Sequence, residues 1–370
     1  MFKKETGSIG NISLVLIIFV VFFYVLYVGA SLIIPFIIAL LFSFAIIALS
    51  NFYKKMRLGG FIAFTLSLGT YVFIFWILGK MLNSNLGDLI ELLPKYQTKV
   101  LSIVGSVFEQ LNINEPTSIN QVLQKIDLQY ILGLIITGVT FIFSKTGIIL
   151  FYVLFILLEY RYFSKKLQLM ILDESRKKQI FEILEKIKGD IKSYFVIKTV
   201  VSFITATVSY MIMRVFDLDL AIFWAFLIFV LNFIPSVGSV IAVTFPILLT
   251  LMQFESYYPF AFISVGLIGI QVLMGNIIEP RFLGNKLNLS PLVIILGLAF
   301  WGSLWGVVGM LLSVPIMVII NIILAKIPAT RSIAILLSEK GELQIEAQEE
   351  VKKKRRVLID AVKKKLRKKK

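Results

Sequence analysis

Cysteine and histidine are both missing from this chain of 370 residues. Their absence excludes disulfides, thiol nucleophiles, Cys/His metal sites and any Ser-His or Cys-His catalytic pair. Acidic residues are also sparse, 22 against 38 Lys and Arg, and no nucleotide-binding motif is present, so nothing points to ATP-driven chemistry within the chain. We therefore expect neither an enzyme nor a cofactor or metal.

What remains is apolar. Hydrophobic residues make up 58% of the chain, and mean hydropathy is +0.90. A soluble domain of this size cannot bury so much apolar surface. Several runs reach the roughly 20 residues needed to cross a hydrocarbon core of about 30 Å. Ser256–Ile278 and Leu287–Ala325 contain no charge at all. In lipid only helices and closed barrels satisfy their backbone groups, and "GLIGIQVLMGNII" lacks the alternation of a barrel strand. The fold class is therefore an all-α polytopic membrane protein of about eight spans, with Gly/Pro-broken or re-entrant hairpins in its C-terminal half.

Charge bias sets the expected orientation. Lys3 and Lys4 place the N-terminus in the cytoplasm, and Lys54, Lys55 and Arg57 follow the first two spans there. Residues 1–79 hold three spans, 80–130 an extracytoplasmic amphipathic segment, and 131–160 a fourth span interrupted by "SKTG". Residues 161–195 read as a cytoplasmic amphipathic helix, with Ile180, Leu184, Ile187, Ile191 and Phe195 at helical spacing. Residues 196–327 form a core of broken helices, and 328–370 a basic cytoplasmic tail. That tail suits anionic lipid of the inner leaflet better than nucleic acid.

Punctuation changes in the second half. "LNFIPSVGSVIAVTFPILLTL" carries Asn232, Pro235, Ser236, Gly238 and Pro246, and "LAFWGSLWGVVGMLLSVPIMVII" carries Gly302, Gly306, Gly309 and Pro315. Proline removes a backbone donor and glycine permits unusual conformations; in a membrane such breaks persist where freed groups meet protein, water or ligand. The order Gly, apolar stretch, Pro occurs at 238–246 and again at 306–315, and broken segments that recur are a pointer to a transport site. Close helix packing is the plainer account of the glycines. A straight helix over 291–325 would be about 52 Å long, so it must tilt, fold back or split, most naturally near Gly302–Gly309.

Between the charge-free runs lies "GNIIEPRFLGNKLNLSP", with Glu279, Pro280, Arg281 and Gly284. It reads either as a cytoplasmic loop with inside-positive charges or as a gate formed by Glu279 and Arg281, with Gln271 and Asn276 facing inward. A carboxylate near a span is a functional candidate because its charge is costly in lipid unless paired. No acid–base pair is evident deep in a span.

At these motifs the sequence resembles the autoinducer-2 exporter family of bacterial membrane transporters. "LNFIPSVGSVIAVTFPILLTL" is similar to its Asn-x-x-Pro-x-x-Gly hairpin, "QVLMGNIIEPRFLGNKLNLSPLVIILG" to its Asn-x-x-x-Pro-x-x-x-Gly stretch, and "GSLWGVVGMLLSVPIM" to its Gly-x-x-Gly…Pro ending. Ser239 stands where the family often has a second proline. The resemblance implies a homo-oligomeric helical permease of the cytoplasmic membrane, with Asn232, Pro235, Gly238, Asn276, Glu279, Pro280 and Gly284 at motif positions. It implies a small polar solute as cargo, autoinducer-2 among the candidates. A sodium/proton antiporter and a non-transporting membrane scaffold are the alternatives.

Overall fold

The computed structural model describes residues 5–81, 128–283 and 287–341. The expected extracytoplasmic amphipathic segment, Gly284 and most of the basic tail lie outside them. The described residues contain helices and turns and no strand. They fall into two compact units: one holds the helices before Leu169 together with Phe300–Met310, the other holds Met170–Ala299 and the residues from Leu311 onward.

The first unit begins with α1 (Glu5–Val28) and α2 (Ala30–Lys55), separated by the single residue Gly29. A β-carbon on Gly29 would lie 2.8 Å from the Val25 carbonyl oxygen, which accounts for glycine at so short a joint. Pro35 sits buried within α2. Helix α3 (Gly60–Met81) is largely exposed and apolar, as a lipid-facing helix is. Helices α4 (Leu128–Ser144) and α5 (Thr146–Met170) meet at a break by Lys145, where the sequence places "SKTG".

The second unit opens on α6 (Glu174–Arg214), 41 residues without interruption. The stretch expected to be a separate amphipathic helix and the span after it are thus one rod. The Asp173 carboxylate caps its start, accepting from the Ser175 amide at 2.7 Å and the Arg176 amide at 3.2 Å.

Two hairpins follow. Helix α7 (Ala221–Leu231) has 11 residues, about 16 Å of rise, too short to cross a core of about 30 Å. It turns at Asn232–Ser236 into α8 (Val237–Gln253), and Trp224 stacks on Phe245 across the pair at 6.0 Å. The open end is clamped by Gln253, which accepts from the Asp219 amide and donates to the Asp217 carbonyl. Helix α9 (Tyr257–Leu283) carries a π-helical turn at Leu273–Ile278. Helix α10 (Pro291–Lys326) doubles back at Gly306, whose φ of 63° and ψ of −146° only glycine adopts readily. A β-carbon on Gly297 would lie 3.0 Å from Met317, and one on Gly302 3.0 Å from Met310, so the two arms face each other. A short α11 (Arg331–Leu337) ends the described chain.

Among the described residues five helices have the length and apolarity to cross a membrane: α2, α3, α6, α9 and α10. The bent pair α4–α5 would make a sixth. The expected count of about eight already allowed for re-entrant hairpins in the C-terminal half, and the 11-residue α7 is such an arm, too short to cross.

Candidate functional site

The long helix α6 is where the second unit departs from ordinary membrane packing. Its buried face reads Asp190, Tyr194, Lys198, Ser202, Thr205 and Ser209, spaced three or four residues apart and hence aligned along one stripe. Lipid-facing positions such as Val200, Phe203 and Ile204 are apolar. The polarity is therefore turned inward.

Helix α9 lies antiparallel against this stripe. Ile212 meets Gly266 near one end, and Lys198 meets Glu279 near the other. The Lys198 ammonium donates to Glu279 Oε1 at 2.6 Å, with the two side chains 5% and 17% exposed. Such a pair is tolerated because each charge compensates the other; removing one partner from a buried pair typically costs about 3–5 kcal/mol. Glu279 is thus paired, but with Lys198 rather than with Arg281, which is exposed. Sequence reading did not foresee this pairing, because the two charges are 81 positions apart and only helix packing joins them.

A second polar contact joins α9 to the first hairpin. Gln271 Nε2 donates to Asn232 Oδ1 at 2.6 Å, and Asn232 is buried at the end of α7. Phe233, next along the turn, offers its carbonyl to the Tyr194 hydroxyl at 3.5 Å, the long limit of a hydrogen bond. Ser236 has φ 59° at the exposed tip. A β-carbon on Gly238 would lie 1.9 Å from the Leu231 carbonyl oxygen. Glycine there is required for the reversal.

The predicted residues separate accordingly. Asn232 joins Gln271 on α9 and Glu279 joins Lys198 on α6, while Gly238 is buried within its own hairpin and Pro235 is half-buried in the turn. Asn276 lies exposed in the π turn, and Pro280 and Arg281 are exposed, so the inward placement expected for Asn276 does not hold. Pro246 is buried within α8 and Pro315 within α10. In the first unit Gly309 would place a β-carbon 1.9 Å from the Trp301 carbonyl, repeating the crossing of Gly238 over Leu231. Sequence reading missed Lys198, Tyr194 and Ser202. The available signal was a lysine within "FVIKTVVSFITATVSYMIM", otherwise an uncharged run.

Among the described residues, several buried oxygens on these two helices lack a hydrogen-bond partner: Ser202 Oγ and Ser209 Oγ on α6, Ser264 Oγ and Gln271 Oε1 on α9. An unsatisfied buried polar group costs about 1–3 kcal/mol. Four such groups fall on these two helices. The π turn adds to them, since a widened turn loosens the regular carbonyl ladder and such turns gather at functional sites. A separate hollow of about 480 Å³ is an apolar groove along α3, lined from Phe61 to Phe73.

Residues 16–329 match the AI-2E family transporter domain, which covers most of the chain. The chain belongs to the AI-2E transporter family. It is 32% identical to the AI-2 transport protein TqsA of Escherichia coli over 84% of this chain and 90% of that protein. It is 27% identical to a putative transport protein of Haemophilus influenzae, over 84% and 91% of the two chains. The putative transport protein YhhT of Escherichia coli is 26% identical over 84% of this chain and 89% of its own length. A membrane transport role is therefore the family's.

Proposed function

We propose that this AI-2E transporter carries a small hydroxylated solute, of the kind implied by the name of its TqsA relative, along the α6–α9 seam and past the α7–α8 hairpin tip. The observation that carries the reading is the set of unpartnered buried oxygens on Ser202, Ser209, Ser264 and Gln271. A polar solute leaves water only where hydrogen bonds replace those it loses, and these groups supply them. Asn232 and Gln271 form the inner contact that must part for passage. The cytoplasmic membrane is the location this reading needs, with both termini on the Lys/Arg-rich cytoplasmic side. The basic tail rests on anionic lipid, and the exposed apolar helices leave room for a homo-oligomer.

The test is counterflow in proteoliposomes, with autoinducer-2 inside and neutral sugars and polyols as competitors. Saturable exchange that falls at least about tenfold in Gln271→Leu supports the reading. Exchange no faster than in empty liposomes defeats it.

A second reading, sodium/proton antiport, rests on Glu279 as the deepest carboxylate of α9. It requires that Glu279→Gln abolish pH-dependent sodium exchange. Lys198 already neutralises that carboxylate, so under the first reading sodium exchange is absent in the native protein as well.

A further inference from the structure

Lys198 holds more hydrogen-bonding capacity than its visible contact uses. An ammonium has three donors. Among the described residues Glu279 Oε1 is its hydrogen-bond partner, at 2.6 Å, while the lysine side chain is 5% exposed. One turn before it stands the Tyr194 hydroxyl, whose bond to the Phe233 carbonyl is stretched to 3.5 Å. One turn after it stands Ser202, fully buried, with its hydroxyl unpartnered. Spacing of four residues puts all three on one face of α6. Each is a donor: an ammonium, a phenol and an alcohol. The acceptor among them is supplied from the opposite helix, and it is a carboxylate.

Among the described residues, the charges near this group point to one acceptor. From α9 the titratable group facing Lys198 is Glu279. On α6, two turns away, Asp190 is engaged with Lys186 at 3.0 Å. The α7–α8 turn contributes the Asn232 amide and the Phe233 carbonyl, both uncharged. A row of donors on one helix face that includes a buried cation suits an anionic oxygen group. In this conformation its occupant is part of the protein.

We propose that Tyr194, Lys198 and Ser202 form a receptor for a single anionic oxygen group, and that Glu279 is its tethered internal occupant. A carboxylate-like group on an incoming solute displaces Glu279, and Glu279 returns when the solute leaves. The site thereby stays neutral when empty and when the solute carries one negative charge, provided that the displaced carboxylate reaches water. Its 17% exposure, against 5% for Lys198, puts Glu279 on the side from which it can withdraw. This rests on the carrier reading for its biological use and refines the cargo from a polar solute to a singly charged anionic one; binding itself is tested without transport.

The experiment measures binding to purified full-length protein at fixed ionic strength, with sodium glycolate as the charged probe and glycolamide as its neutral counterpart. Glu279→Gln removes the internal competitor and is expected to lower the half-saturating glycolate concentration at least about tenfold. Glu279→Asp, one methylene shorter, is expected to lower it by a smaller factor and keeps the buried charge compensated should the Gln variant fail to fold. The double variant Lys198→Met/Glu279→Gln has no receptor and is expected to lose the glycolate response. Glycolamide is expected to behave alike in all of them. Equal glycolate affinity in native protein, Glu279→Gln and Glu279→Asp overturns the proposal, as does a glycolate response that survives in the double variant. Proteoliposome exchange of the same probes is scored separately: absent exchange with the predicted binding pattern sinks the carrier reading alone, and exchange without that pattern sinks the receptor alone.

Discussion

Asn232 and Gln271 are the simplest residues at which to separate structure from transport. Each is uncharged, and the side chain of each hydrogen-bonds the other. Gln271→Leu leaves Asn232 Oδ1 buried without a donor, at a cost of about 1–3 kcal/mol. The pair replaced together, Asn232→Leu/Gln271→Leu, is expected to recover most of that stability, because matched apolar groups remove both unmet demands. Solute exchange is not expected to recover with it. Thermal unfolding of the three variants beside proteoliposome exchange checks both halves. Asn232 and Gln271 were legible in the sequence because amides are conspicuous in apolar runs. Lys198 was not, because it stands near the boundary between a charged helix and an apolar one, where a lysine is ordinarily read as snorkelling. Its burial follows from the approach of α9, which no local pattern encodes.

At the level of elements, the two reversals depend on particular glycines for different reasons. Gly306 is needed for its backbone angles, and Gly238 and Gly309 for the carbonyls that pass over them. Gly306→Ala is expected to strain the backbone by about 1–3 kcal/mol. Gly238→Ala must force the Leu231 carbonyl aside and is expected to cost at least as much. Both should lower the temperature of unfolding, which differential scanning fluorimetry in detergent reads directly. The sequence marked both reversals through their Gly and Pro spacing, and the structure makes each a hairpin. It did not reveal that α6 is unbroken, since a change from amphipathic to apolar composition resembles a boundary when neighbours are unseen. The start of α6 has its own pH signature. The Asp173 carboxyl is held below its ordinary range first by the Ser175 hydroxyl, then by the Arg176 and Ser175 amides. A carboxyl depressed in the folded state stabilises it above the unfolded value, and that contribution vanishes as pH falls through the folded one. Asp173→Ala is accordingly expected to lower stability near neutral pH and to flatten the acid limb of the stability profile, as measured by thermal scans from pH 7 to below the carboxylate range.

For the whole molecule, the decisive matter is which segments cross. The clamp by Gln253 brings the start of α7 and the end of α8 together, so the hairpin should enter and leave on one face of the membrane. Because the chain has no native cysteine, single-cysteine labelling needs no prior background removal. Cysteines at Asp219 and Glu255 are expected to react with an impermeant thiol reagent from the same side. Labelling from opposite sides would make α7–α8 a crossing pair and return the count toward the eight spans expected from composition. Composition and charge bias were enough for the helical membrane class, and the motifs were enough for the family. The count was not legible, because hydropathy measures apolar length and cannot distinguish a segment covered by protein from one covered by lipid.

The central claim, that the inward polar face of α6 meets a passing solute, is tested most directly by cysteine at Ser202. In native-like membranes Ser202→Cys should react with a small charged methanethiosulfonate reagent, and glycolate should slow the reaction. Phe203→Cys, its lipid-facing neighbour, should stay inert. Equal inertness at both positions under exchange conditions would contradict a water-accessible path along α6.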